Sequence, residues 1–184
     1  MDKGAEYYRR YLDGDDDAIA ELIRDYKDGL LLYINEMTGN ISLAEEFMED
    51  AFFKLVTRKP KFRGKSKFKT WLYAIGRNAA IDGMRKRSRL SDLSPEDCGS
   101  ISDEENIERN YLREEQKIHL HRVMSRLNPD YRQVLYLTFF EGLSNGEAAE
   151  VMKKSRRQIE QLLYRAKLSL RSELEKEGFE YEVL

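Results

Sequence analysis

Apolar side chains along the first half of the chain recur at spacings of three and four. Ile19, Leu22, Ile23, Tyr26, Leu30, Ile34 and Met37 form one such stripe, the signature of an amphipathic helix, and Gly39-Asn40 can end it. Ser42 stands three residues before Glu45, a capping-box pattern that predicts the start of a second helix. Leu43, Phe47, Ala51, Phe52 and Leu55 make its inner face, and Lys59-Pro60 marks its end. A basic loop from Lys61 to Lys67 leads into a third helix, with Phe68, Trp71, Leu72, Ile75 and Ala79 on one side, running to Arg85-Lys86-Arg87.

From Ser88 to about Asn106 the periodicity disappears into a polar stretch with the composition of a linker. Apolar spacing returns with Leu120, Val123, Met124 and Leu127. Asn128-Pro129 is a helix start signal, Tyr131, Val134, Leu135 and Thr138 give the next helix an inner face, and Gly142 closes it. Ser144 with Glu147, and Ser155 with Gln158, are two capping boxes eleven residues apart. Between them fit a two-turn helix and a brief turn at Lys153-Lys154. After the second box Ile159, Leu162, Leu163, Ala166 and Leu170 form a longer stripe, which gives the helix-turn-helix arrangement. The expected fold is all-α: two small helical domains with modest cores of their own, residues 1–90 and 111–184. An acidic flexible linker, residues 91–110, joins them.

Charge changes the picture. The 184 residues carry a net charge of only -2, but residues 1–53 are net -9, residues 54–90 net +12, residues 91–108 net -7 and the remainder net +2. Such concentration of positive charge, interleaved with aromatic rings, points to a polyanionic partner. Charged residues make up 36% of the chain and mean hydropathy is -0.71, so no stretch reads as a membrane span. The Met1 end shows no apolar run behind a basic start, so a cytoplasmic protein is expected. Cys98 is the only cysteine, which excludes an internal disulfide framework or a cysteine-rich zinc site.

The candidate chemistry is recognition rather than catalysis. In the stretch Lys61 to Tyr73, lysines and arginines supply phosphate attraction while Phe68, Trp71 and Tyr73 offer rings on which unstacked bases can lie. The competing reading of Phe68, Trp71 and Leu72 is simply core. Arg156 and Arg157 open the second helix of the helix-turn-helix, where cations and free N–H groups meet a phosphate. Gln158 can either bond back to its own cap or read a base edge. His119 and His121 lie two apart on a presumed helix and cannot share a metal; no phosphate-cradling glycine loop and no nucleophile–base pair is present. No cofactor and no enzymatic activity are expected.

With both halves in view, the sequence resembles the sigma-70 family of RNA polymerase sigma factors, in its extracytoplasmic-function (ECF) group. The resemblance rests on Leu43-Ala44-Glu45-Glu46-Phe47-Met48-Glu49-Asp50-Ala51-Phe52 and on Phe68-Lys69-Thr70-Trp71-Leu72-Tyr73-Ala74-Ile75-Gly76-Arg77-Asn78. In the second half it rests on Leu127-Asn128-Pro129-Asp130-Tyr131-Arg132, Glu141-Gly142-Leu143-Ser144 and Leu163-Tyr164-Arg165-Ala166-Lys167. The resemblance implies a subunit that binds core RNA polymerase through Glu46, Glu49, Asp50 and Phe53. It implies capture of the melted −10 non-template strand by Lys61, Arg63, Lys65, Lys67, Phe68, Trp71, Tyr73, Asn78, Arg85 and Lys86. It further implies reading of the duplex −35 element by Ser155, Arg156, Arg157, Gln158, Gln161 and Arg165, and control by an anti-sigma factor. The chain departs from the family pattern at Lys153, where glycine is usual, and at Lys154, Ala148, Glu160, Leu162 and Glu49. The alternatives are a stand-alone helix-turn-helix regulator and a polymerase-interacting adaptor that has lost −35 readout.

Overall fold

A computed structural model describes residues 2–91 and 120–177, all of whose regular structure is helical. Residues 92–119, which take in most of the expected linker at 91–110 together with Cys98 and His119, lie outside the described residues.

Helix α1 (Lys3–Leu12) begins at Asp2, whose side chain accepts the Ala5 N–H, and it packs across α2 (Asp16–Thr38) and the start of α4. The apolar stripes read from the sequence begin at Ile19 and do not include this helix. Gly39 closes α2 with φ 64°, a left-handed conformation that glycine adopts without steric cost. Helix α3 (Ile41–Arg58) starts two residues earlier than the Ser42–Glu45 pattern predicted. Asn40 has the extended backbone of a cap, and its Oδ1 accepts the Leu43 N–H at 3.1 Å, so Ser42 falls inside the first turn. Helix α4 (Phe68–Ser91) follows the loop. Helices α2, α3 and α4 pack on one another through Leu22, Leu30, Ile34, Phe47, Leu55 and Leu72, all of them buried.

The second half contains a helical turn at 120–124, then α5 (Pro129–Leu135), α6 (Asn145–Met152) and α7 (Arg156–Lys176). Asn128 caps α5 by accepting the Tyr131 N–H, as the sequence signal implies. The helix expected to run on toward Gly142 instead widens into a π-helical segment, Tyr136–Phe140. The wider turn leaves Tyr136 and Leu137 in the core and turns Phe139 outward, 60% exposed. Both predicted capping boxes are present, at Ser144/Glu147 and Ser155/Gln158.

The buried residues of the two halves form one continuous core. Tyr33 of α2 stacks on Tyr73 of α4 and on Tyr136, with ring centroids 5.5 and 6.3 Å away. Tyr33 Oη donates to Gln133 Oε1 at 3.3 Å, and Tyr136 Oη donates to the Gly29 carbonyl at 3.4 Å. Glu36, 7% exposed, meets Arg132, whose Nε donates to the Glu36 carbonyl at 2.9 Å, and His121, whose Nδ1 lies 3.3 Å from its carboxylate. Periodicity identified the buried faces of these helices but not which neighbour covers each one. No helix of the described residues is long and apolar enough to cross a membrane.

Candidate nucleic-acid and polymerase interfaces

On α3 the outward positions 49 and 50 each lie three or four residues from 46 and from 53, so the four share a face. Glu49 and Asp50 are exposed, and Phe53 is 66% exposed, a large ring left in solvent beside two carboxylates. Glu46 is also exposed but is not idle: it forms an ion pair with Arg87 of α4. Of the four residues expected to meet polymerase, three carry no such pairing across the domain.

The basic loop divides into residues that face out and residues that hold it down. Lys61, Arg63, Lys65 and Lys67 are exposed, and Gly64 at φ 66° turns the tip. Phe62 packs edge-on against Phe68 at 5.4 Å and against Trp71 at 5.2 Å. The expectation that Phe68 and Tyr73 offer free faces to bases is corrected: both are buried, at 0% and 1% exposure. Phe68 fills the space between α1, α2 and α4, and Tyr73 lies in the seam between the two halves. Trp71 is half-buried, in contact with the Tyr8, Phe62 and Phe68 rings. Asn78 is half-buried, whereas Arg85 and Lys86 further along α4 are exposed.

The front of this loop touches the second half. Ser66 Oγ donates to Glu150 Oε1 at 2.7 Å, and Lys67 Nζ lies 3.0 Å from Glu147 Oε1. Lys69, absent from the expected site, pairs with the Glu141 carboxylate and also donates to its carbonyl at 3.0 Å. Burial works against the charge on Glu147, but the Ser144 N–H, Lys67 and the Ser144 hydroxyl outweigh it and hold its pKa below the usual carboxylate value. Lys69 escaped sequence reasoning because its partner lies 72 residues away; only its charge, within the basic block, was visible.

The helix-turn-helix presents a different surface. Arg156, Arg157, Gln158, Gln161 and Arg165 are all exposed at the N-terminal part of α7, and Ser155 stands at its cap. Gln158 takes the structural option here: its Oε1 accepts the Ser155 N–H at 2.7 Å. Arg156 is drawn along the helix by Glu160 at 3.0 Å, whereas Lys154 turns back to Asp130 at 3.1 Å. Lys153 adopts φ 53°, a left-handed turn conformation, at the position where glycine is usual in the family pattern. Among the described residues no group of histidine, cysteine or carboxylate side chains is placed to hold a metal ion.

An all-helical chain with a basic-aromatic loop in one half and an open helix-turn-helix in the other belongs to the class of multi-contact DNA-binding proteins. Sequence comparison narrows the class. The Sigma-70 region 2 family model matches residues 22–90, and the Sigma-70, region 4 model matches residues 118–170. The RNA polymerase sigma-H factor of Pseudomonas aeruginosa is 32% identical over 163 residues, covering 84% of each chain. The RNA polymerase sigma factor YlaC of Bacillus subtilis is 27% identical over 162 residues, 87% of this chain and 94% of that one. Among solved structures, the sigma factor RpoE of Bartonella quintana in complex with the anti-sigma factor NepR shares the fold. Its TM-score is 0.68 at 22% identity, over 85% of this chain and 96% of that one. The chain belongs to the sigma-70 family of RNA polymerase sigma factors, in its ECF group.

Proposed function

We propose that this chain is an alternative-type sigma factor that acts in the cytoplasm, with no catalysis of its own, and divides promoter recognition between its two halves. The Glu46–Phe53 face of α3 docks on core RNA polymerase. Lys61, Arg63, Lys65 and Lys67, together with Trp71, Asn78, Arg85 and Lys86, capture the melted non-template strand of the −10 element. Arg156, Arg157, Gln161 and Arg165 meet the −35 duplex, with Ser155 and Gln158 setting the start of the reading helix. An anti-sigma factor is the expected protein regulator. The module bounds are residues 1–90 for polymerase and −10, 91–110 as acidic connector, and 111–184 for −35.

The observation that carries this reading is the outward projection of four loop cations around an inward Phe62, beside a second, separate basic surface on α7. A stand-alone regulator needs only the second. Unpairing a base costs a few kcal/mol, which charge attraction and stacking of about 1–3 kcal/mol per base can offset. Replacing Lys61, Arg63, Lys65 and Lys67 together with alanine should leave binding to core polymerase intact and abolish opening of a linear promoter by the reconstituted holoenzyme. A template already mismatched across −10 should partly restore initiation, because its unpairing cost is removed in advance. Normal permanganate reactivity at −10 in the quadruple variant would reduce the loop to a connector.

A further inference from the structure

Helix α1 precedes both family-matched segments, yet its side chains reach the two ends of the basic loop. Where α3 gives way to the loop, Tyr11 Oη donates to the Val56 carbonyl at 3.1 Å and Tyr8 Oη donates to the Pro60 carbonyl at 2.8 Å. Between those carbonyls Lys59 takes a left-handed conformation, φ 42°, with its Nζ 4.6 Å from the Tyr11 ring centroid. Where the loop gives way to α4, the Asp2 carboxylate accepts the Phe68 N–H through Oδ2 at 2.6 Å. Its other oxygen, Oδ1, accepts the Ala5 N–H at 3.3 Å. A single carboxylate thus caps its own helix and, across 66 residues, the first N–H of α4.

The middle of the loop is pinned from the same side. The Tyr8 ring lies 5.6 Å from Phe68 and 5.5 Å from Trp71, the two rings on which Phe62 rests. Gly4 makes the approach possible, since a Cβ there would come within 2.5 Å of Phe68 Cδ1 and of the Tyr26 hydroxyl. Both ends of the loop backbone are therefore anchored from behind and Phe62 is held through the Phe68 and Trp71 rings, while Lys61, Arg63 and Lys65 are left exposed and Lys67 faces Glu147. A binding loop ordered in advance does not lose that conformational freedom when the ligand arrives.

We infer that α1 is a brace that preorganises the basic loop for strand capture, with Asp2, Tyr8 and Tyr11 as positioning residues. The inference rests on the strand-capture role proposed above. It separates from a general contribution of α1 to stability by where its loss is felt.

The test uses the full chain, free and reconstituted with core polymerase, carrying Asp2→Ala, Tyr8→Phe and Tyr11→Phe together. The phenylalanines keep both buried rings; Asp2→Ala also removes the cap of α1, so helical ellipticity and Tm are read beside the loop. Amide exchange at residues 61–68 should accelerate at least tenfold, with the Phe68 N–H most affected. Promoter opening, read by permanganate, should fall at least tenfold while affinity for core polymerase stays within twofold. A −10-mismatched template should not restore the wild-type rate, because the strand must still be held. Asp2→Asn alone, with one acceptor oxygen for two N–H groups, should give an intermediate acceleration at Phe68. Unchanged exchange in the loop overturns the brace. So does faster exchange with normal opening, or core affinity lost in step with opening. If the loop quadruple-alanine variant also opens promoters normally, the strand-capture role has failed, and the brace falls with it; if only the brace variant opens normally, the brace alone is wrong.

Discussion

The two basic surfaces of this protein are held in opposite ways. The loop at 59–67 is engaged on both sides, with α1 behind it and Glu147 and Glu150 in front, and just past it Lys69 of α4 pairs with Glu141. The start of α7 is set by its own capping box, with Lys154 tied to Asp130 just before it and Ile159 buried, and its arginines and glutamines are exposed. A surface read by rigid-body docking into a groove needs little more than a well-capped helix. One that must seize an unpaired strand has more conformations to lose, and here it is supported from outside its own segment. The carboxylates in front add a second consequence. On the proposed role, Lys67 meets a strand by exchanging Glu147 of the other half for a phosphate, whereas on α7 the exchange stays within the helix, Arg156 leaving Glu160. The seam between the halves therefore governs one surface and leaves the other alone.

The largest perturbation of that asymmetry is alkaline. Tyr33, Tyr73 and Tyr136 meet at the seam, and burial pushes all three hydroxyls far above the usual tyrosine value. For Tyr73 and Tyr136 the nearby Glu141 carboxylate adds to the rise. Because the folded values are raised, the associated stability is fully present below about pH 10 and is lost as pH climbs beyond it, where the unfolded chain ionises and the folded one resists. Each such group contributes about 1.4 kcal/mol of loss by pH 11, so the three together remove up to about 4 kcal/mol. Absorbance at 295 nm, followed with helical ellipticity, should show a delayed fraction of the 11 tyrosines ionising only as helicity falls. A single smooth titration near pH 10 with helicity retained would mean that the seam rings are open to solvent.

Arg157→Ala probes the unobstructed surface. If Arg157 forks onto a guanine, its loss should cost about 1–3 kcal/mol and relax specificity at one base; a phosphate contact would instead weaken all sequences alike and lower the salt slope by about one. Opening of a promoter with a premelted −10 element should be affected only through that lost affinity. Unaltered binding to −35 duplex would remove α7 from the interface and favour the adaptor reading.

How far the sequence revealed this arrangement depended on whether the governing interaction was local. The two capping boxes are each set by residues three positions apart, and the structure has them where the spacing put them. The Asn40 cap was misread because Asn40 and Ser42 can both start a helix, and the extended backbone at Asn40 decides between them. Phe68 and Tyr73 were ambiguous for a physical reason: an aromatic at helical spacing looks the same whether it packs on a core or waits for a base. The π-helical widening at Tyr136–Phe140 and the pairing of Lys69 with Glu141 depend on tertiary neighbours that no periodicity encodes. The brace was partly legible, since Tyr7, Tyr8 and Tyr11 with Leu12 already show spacings of three and four before the first stripe that was recognised.

The smallest expected effect concerns the turn that makes the free surface. Lys153 sits at φ 53°, ψ 44°, where a Cβ crowds the following carbonyl at a cost of roughly 1–2 kcal/mol. Its side chain is exposed, so truncation removes no buried contact. Lys153→Gly should relieve the crowding, with part of the gain offset by the greater freedom of glycine in the unfolded chain, for a net stabilisation of about 0.5–1 kcal/mol. In a domain of this size that raises the Tm by a few degrees at most, about 2–4 °C per kcal/mol. The same change deletes a cation three residues before Arg156, at the mouth of the reading helix. Affinity for −35 duplex should therefore drop slightly while the Tm rises, and the salt dependence should weaken by no more than one phosphate contact. Loop exchange and −10 opening should not move, since the substitution touches neither α1 nor the seam. A higher Tm with unchanged duplex affinity at every salt concentration would leave Lys153 as unrelieved strain; a lower affinity would give the strained lysine its reason, a charge held beside the DNA backbone at the expense of a relaxed turn.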